Sequence, residues 1–255
     1  MLQGATQFPD RDDLWRAGDV VLRRHDGAEA GTIEWIHGVL QQLDFASPKP
    51  VPHFDGASVA RIDDAVWSAV TFLGGEVIGW SESPSMFDVG AYLARFHDAA
   101  ATVEVPAQQS PAFPVDQLTG LDDALAAIGH ASRPRQLIHG DFTNHNVLAV
   151  DGRACGVIDF ANSYVEVALA DIGFALWRSG RPRQEADEFD PARIAAYMDG
   201  YSSVRPLSTD DRAAVIVYLR ARGLQIIAKQ RARGIRDDGP LRKLAWLDAN
   251  RKLLG

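Results

Sequence analysis

The sequence is poor in cysteine: its 255 residues hold one, Cys155. An internal disulfide and a cysteine-built metal cage are both excluded, and a lone thiol suits a reducing compartment. No apolar run approaches the ~20 residues needed to cross a bilayer. The first residues, MLQGATQFPDRDD, lack the basic-then-apolar pattern of a secretory leader. The expectation is a soluble cytoplasmic protein without a membrane partner. Two signatures of hydrolytic chemistry are missing as well, the GxSxG elbow of a serine nucleophile and the HExxH pair of a zinc site. Internal repeats and low-complexity tracts are absent. Glycine is scarce at the start, where Gly4 is the only one before Gly18.

Charge is present but uneven. Arg212 to Gly255 carry 11 Lys/Arg against 3 Asp/Glu, a balance of +8 within a chain of net charge −8. Residues 1–211 therefore carry −16. An acidic body attracts cationic small molecules and repels nucleic acid. The basic C-terminal stretch reads as a solvated helical face, so no nucleic-acid partner is expected. The length allows one large domain or two lobes with proper cores. Oligomeric state is not legible.

Hydrophobic spacing divides the chain. DVVLRRH (Asp19–His25) reads as a strand after a Gly-Asp turn. GTIEWIHGVLQQL (Gly31–Leu43) has apolar residues at helical spacing. SPKPVPHFDG (Ser47–Gly56) is a proline-rich loop, followed by two short strands, SVARI and VWSAVTFL. Gly74–Gly75 then breaks the chain, which places a boundary between residues 1–75 and 76–255: strands with one helix before it, mostly helices after it. Helices are predicted over Pro84–Thr102, Val115–Ile128, Val165–Trp177, Pro191–Tyr201, Ser208–Arg233 and Leu241–Leu253. A loop covers Val105–Pro114. NVLAV and RACGVIDF form a hairpin turning at Asp151–Gly152.

The densest polar passage is LIHGDFTNHNVLAV, Leu137 to Val150, with VIDF and its Asp159 just downstream. An aspartate, an asparagine five positions later and a second aspartate closing the next strand are what phosphoryl transfer needs. One carboxylate takes or orients the acceptor proton, and an amide oxygen and a carboxylate hold Mg²⁺. The kinase catalytic loop has the same Asp-to-Asn spacing and order. Metal-dependent hydrolysis through His139, Asp141 and His145 rests on residue types alone. Cys155 sits mid-strand, where a small hydrophobe is the natural reading.

HGDFTNHNVL followed by VIDF resembles the aminoglycoside phosphotransferase and choline kinase family, relatives of the protein kinases. VALADIGFAL (Val167–Leu176) is similar to the family's following helix, YLARFH (Tyr92–His97) to the helix before the catalytic loop, and DVVLRRH to the third strand of the small lobe. The likeness covers about residues 12 to 230. It implies an α+β, bilobal, protein-kinase-like fold, with a small, shortened antiparallel-sheet lobe and a larger, mainly helical one. It implies Asp141 as catalytic base, Asn146 and Asp159 as Mg²⁺ ligands, and ATP or GTP as donor. His139 and Gly140 would shape the loop, and Asp171 would brace it through backbone hydrogen bonds; a helix N-cap is the other reading of Asp171.

The small lobe departs from the family pattern. Arg23 stands where a lysine usually grips the phosphates, with Glu34 as its expected helix partner. Arginine keeps the charge and can fork onto phosphate, with different reach. Arg24 points to the opposite strand face. Before Gly18 no glycine-rich loop is visible, and Asp10, Asp12 and Asp13 are poor company for a triphosphate. Phe72, Leu73 and Gly74 are the hinge candidates for the base. The acceptor, a small molecule with a hydroxyl, is expected against the loop after Asp159, with Tyr164, Glu166 and the acidic loop around Glu188 as candidate contacts. A cationic antibiotic such as an aminoglycoside is the first expectation. A metabolic alcohol (homoserine, choline or a sugar) and a nucleotide-binding pseudokinase or regulatory module are the alternatives.

Overall fold

The computed structural model describes residues 4–9, 11–53, 56–80, 84–104 and 120–254. The N-terminal strands β1 (Thr6–Gln7), β2 (Leu14–Ala17) and β3 (Val20–Asp26) are followed by helix α1 (Ala30–Gln42) and by β4 (Val59–Ile62) and β5 (Ala65–Thr71). They form one antiparallel sheet in the order β1-β2-β3-β5-β4. Trp15 and Trp67 stack across it, ring centroids 5.2 Å apart. The apolar stripe of α1 serves two cores. Ala30 and Ile33 pack with Val59 and Val66 of the sheet in a small cluster of their own. Val39, Leu40 and Leu43 join the large core of the rest of the molecule. The Lys49 ammonium donates to the Leu40 and Leu43 carbonyls, satisfying the end of α1.

The sheet ends with β5. Strand β6 (Glu76–Val77) already pairs with β8 (Val147–Val150), which pairs with β9 (Arg153–Val157). Between them lie α2 (Met86–Ala100), α3 (Leu121–Ala127) and β7 (Arg135–Ile138). The first part of the helix expected from Val115, and the loop Val105–Pro114, lie outside the described residues, as does Asp10. Then follow β10 (Tyr164–Val167), α4 (Ala168–Ser179), α5 (Pro191–Ser202), α6 (Thr209–Ala232) and α7 (Gly239–Asn250).

One correction concerns Tyr164–Val167. The sequence predicts a helix from Val165, but this stretch is a strand paired with β7, Tyr164 opposite Ile138 and Val167 opposite Arg135. Alternating Val and large residues suit a pleated edge, and the helix begins only at Ala168. The helices are tightly apposed. A Cβ on Gly90 of α2 would lie 2.0 Å from the Tyr197 carbonyl of α5, so glycine is what lets these two backbones meet. Capping boxes at Ser85–Asp88 and Ser208–Asp211 start α2 and α6. No helix among the described residues is long and apolar enough to cross a membrane.

Candidate active site

The β8–β9 hairpin organises the site. Its turn, Asp151–Gly152, has positive φ at both residues (49° and 71°), the geometry a two-residue hairpin asks for. Val147 faces Val157, and the ladder runs one step further because the Ile158 amide donates to the Asn146 carbonyl at 2.8 Å. The residue entering the hairpin and the residue leaving it, Asn146 and Asp159, are thus brought to the same end. Asp159 has φ 63°, a left-handed backbone that Asp tolerates better than most side chains, and 41% of its side chain is exposed.

Asp141 lies in the loop between β7 and β8. Asn146 Nδ2 donates to its backbone oxygen at 2.9 Å and to its Oδ2 at 3.2 Å. The Asn146 Oδ1 accepts no hydrogen bond among the described residues. An amide oxygen and a half-exposed carboxylate at one end of a hairpin are hard donors, as Mg²⁺ requires. No group of three or more His, Cys, Asp or Glu able to hold an ion exists among the described residues. Two protein ligands completed by substrate phosphates is a common arrangement for this ion.

The loop itself is fastened from below. Asp171, in the first turn of α4, is fully buried. Its carboxylate accepts the backbone N–H of His139 and of Gly140, each at 2.8 Å, and faces His97 Nε2 at 3.1 Å. The Tyr201 hydroxyl lies 2.8 Å from the other ring nitrogen. Burial opposes the charge on Asp171, but the His97 bond and the backbone donors outweigh it and hold its pKa below the usual value. Burial also pushes His97 down, leaving it neutral beside an ionised Asp171. Val167, not Asp171, occupies the N-cap position of α4.

His139 is buried too, and burial lowers its pKa. Its Nδ1 accepts from the Asp141 amide at 3.3 Å, and its Nε2 donates to the Ile158 carbonyl at 3.1 Å. Both ring nitrogens are thus occupied by backbone, a shaping task rather than proton relay. Gly140 has φ +75°, and a Cβ there would lie 2.0 Å from the Asn162 carbonyl, so no other residue fits. Phe142 anchors the loop among Tyr92 and Phe96.

On the sheet side, Arg23 reaches across. Its Nη1 lies 3.7 Å from Asp159 Oδ1, and its Nε donates to Asp13 at 3.1 Å. Asp13 is also bonded to Arg11, which together with Arg23 pulls its pKa down to about 2. Glu34 is exposed and makes no ion pair with Arg23. The expected Arg23–Glu34 pair is replaced by Arg23–Asp13, because the β2–β3 register sets Leu14 opposite Arg23 and brings Asp13 alongside it. Arg24 is exposed, as the two-residue period predicts.

The hinge segment follows β5. The Phe72 amide is already taken by the Asp19 carbonyl at 2.8 Å, and its ring carries the Arg16 guanidinium 3.5 Å above it. The Leu73 and Gly74 amides donate to no group among the described residues, so of the three expected hinge residues these two have backbone donors free. Cys155, in a bulge of β9, points its thiol at the Gly74 carbonyl.

The expected acceptor contacts are not brought together. Tyr164 is buried in β10. Glu166 is only 2% exposed; it bonds Arg135 at 2.5 Å and the Val167 amide at 2.7 Å. Their inward position in β10, with Glu166 tied to the more exposed Arg135, leaves neither group for a ligand. Glu188 does stay exposed, on a loop whose Asp187 is paired with Arg242 at 2.5 Å. Sequence reasoning missed Asp13, the His97–Tyr201 support and Arg222. Arg222, in α6, places Nη2 4.0 Å from Asp141 Oδ1. The first was passed over as unfavourable charge and the last as a solvated basic face; the His97 of YLARFH was the one available signal.

Fold and site together define a kinase-like phosphotransferase. Residues 11–207 match the phosphotransferase enzyme family. A homoserine kinase of Gluconacetobacter diazotrophicus is 30% identical over 231 residues, spanning 78% of this chain and 70% of that one. A microcompartment-associated aminopropanol kinase superposes with a TM-score of 0.69 at 17% identity, covering 96% of this chain and 89% of the other. The amicoumacin kinase solved with AMP-PNP and Ca²⁺ gives 0.69 at 16% identity, covering 98% and 88%. The chain belongs to the phosphotransferase enzyme family and is a small-molecule kinase.

Proposed function

We propose that this enzyme moves the γ-phosphate of ATP, or GTP, to the hydroxyl of a small molecule, acting in the cytoplasm. The observation that carries this reading is the meeting of Asp141, Asn146 and Asp159 around the open end of one hairpin. Asp141 takes the proton from the attacking hydroxyl; the Asn146 amide and the Asp141 loop bonds hold its carboxylate in place. Asn146 Oδ1 and Asp159 hold Mg²⁺, which, when bound, neutralises charge on the phosphates. Arg23 supplies a guanidinium to those phosphates, and the Leu73–Gly74 backbone receives the base. Residues 1–75 form the nucleotide-side lobe and 76–255 the catalytic and acceptor-side lobe.

A small metabolic alcohol of the homoserine type is the favoured acceptor. It is supported by the homoserine kinase relative and by the inward packing of Tyr164 and Glu166, which removes two of the expected contacts for a cationic drug. A cationic antibiotic is the second reading, supported by the exposed Glu185 and Glu188 and the fold likeness to amicoumacin kinase. ADP release by the purified protein, with Mg²⁺, ATP or GTP and a panel of both acceptor types, tests this. Acceptor-dependent release that vanishes in Asp141→Asn is expected; release indifferent to that substitution would rule the mechanism out.

A further inference from the structure

Arg222 projects from α6 into the site and is used by nothing described so far. Its guanidinium lies 5.1 Å over the Phe174 ring, and only 23% of its side chain is exposed. Among the described residues its one hydrogen bond is a 3.5 Å contact from Nη1 to Gln225. The Asp141 carboxylate, at 4.0 Å, is beyond hydrogen-bond reach. A guanidinium has five donors in a fixed fork matched to carboxylates. A guanidinium held half-buried and stacked beside Asp141, with most of its donors unpaired among the described residues, is suited to receive an anion. Four residues further along the loop, His145 has a buried Nε2 without a partner among the described residues, and Arg178 and Arg181 add positive field there.

We infer that Arg222 binds an anionic group of the acceptor, a carboxylate carried by the same small molecule whose hydroxyl faces Asp141. The inference rests on the phosphotransfer reading above and narrows its acceptor to a hydroxy acid. The reach agrees. A hydroxyl about 3 Å from Asp141 and a carboxylate about 3 Å from Arg222 are separated by the length of a few bonds, the size of a small hydroxy acid. A polycationic acceptor would meet Arg222 with like charge.

The test is calorimetric binding to the full chain saturated with Mg²⁺ and AMP-PNP. The probes are L-homoserine, 4-hydroxybutyrate and the carboxylate-free 3-amino-1-propanol. The wild type is expected to bind the hydroxy acids at least about 10-fold more tightly than the amino alcohol. Arg222→Gln is expected to weaken the hydroxy acids about 10- to 100-fold and the amino alcohol much less, with Arg222→Lys recovering part of the loss. Thermal melts of both variants show whether they fold. Equal binding of all three probes, no binding of either hydroxy acid, or an equal loss for all probes in Arg222→Gln would overturn the assignment. Parallel ADP release separates the two layers. Turnover of the amino alcohol without carboxylate preference sinks Arg222's role alone; carboxylate binding dependent on Arg222, with no ADP release from any acceptor, sinks the phosphotransfer reading alone.

Discussion

The two sides of the site are held by different forces. On the helical side, Asp171 and His97 are wholly buried; Asp171 accepts two loop amides at 2.8 Å and is itself held by His97 at 3.1 Å. On the sheet side, Arg23 is held by Asp13 and Asp159 through contacts a quarter to two-fifths exposed. Buried bonds cannot be exchanged for water without leaving charge unpaired, so the helical side is rigid. Exposed ion pairs are worth about 0–1 kcal/mol, so Arg23 can leave its carboxylates for a phosphate at small cost. The proposed base, Asp141, sits on the fixed side and Arg23, proposed to grip the phosphates, on the exchangeable one.

Substitutions break or sharpen that contrast. Asp141→Asn should lower kcat about 100- to 10,000-fold while the melting temperature stays put, in a steady-state assay beside a thermal scan. Asp171→Ala strands two backbone amides and a neutral histidine in the core; urea denaturation should show about 2–6 kcal/mol lost, at about 1–3 kcal/mol per stranded amide, with Asp171→Asn losing less because one acceptor oxygen remains. The sheet side answers to pH. Burial, then Arg23, hold His25 at about 4, whereas an ordinary histidine titrates near 6.5. Below about pH 6.5 the unfolded chain takes up a proton that the fold refuses. Stability from this group is full above that pH and falls by up to about 1.4 kcal/mol per unit towards pH 4. A His25→Gln variant should flatten that part of a stability–pH curve. Arg23→Ala should weaken nucleotide binding about 10-fold with little change in folding, read by fluorescent-nucleotide titration and melts. Glu34→Gln, exposed and unpaired with Arg23, should alter stability by less than about 0.5 kcal/mol; a tenfold loss of nucleotide affinity there would restore the Arg23–Glu34 pair.

What the sequence made legible follows the same divide. Asp141, Asn146 and Asp159 lie within nineteen positions, joined by a hairpin whose Asp-Gly turn is itself written in the chain, so their meeting could be foreseen. The helix carrying Glu34 was also legible from its spacing. Which carboxylate Arg23 would choose was not, because Asp13 reaches it through strand register, and aspartates near a phosphate site read as a defect. Tyr164–Val167 misled for a related reason: its apolar run flows straight into α4, and only the pairing with β7 makes it a strand. Glu166 looked like a ligand-facing acid until its burial against Arg135 was set by that same pairing. Arg222 lies in a basic stretch that looks solvated, and only the fold turns it towards Asp141.

The most direct measurement of the central claim is phosphorus NMR of a reaction holding the purified protein, Mg²⁺, ATP and L-homoserine, beside the same mixture with Asp141→Asn. A phosphate monoester signal of the acceptor growing with ADP in the first tube and missing from the second is the predicted result. An ester formed equally in both tubes would contradict Asp141 as the base, and ATP lost only to inorganic phosphate would contradict transfer to a hydroxyl acceptor.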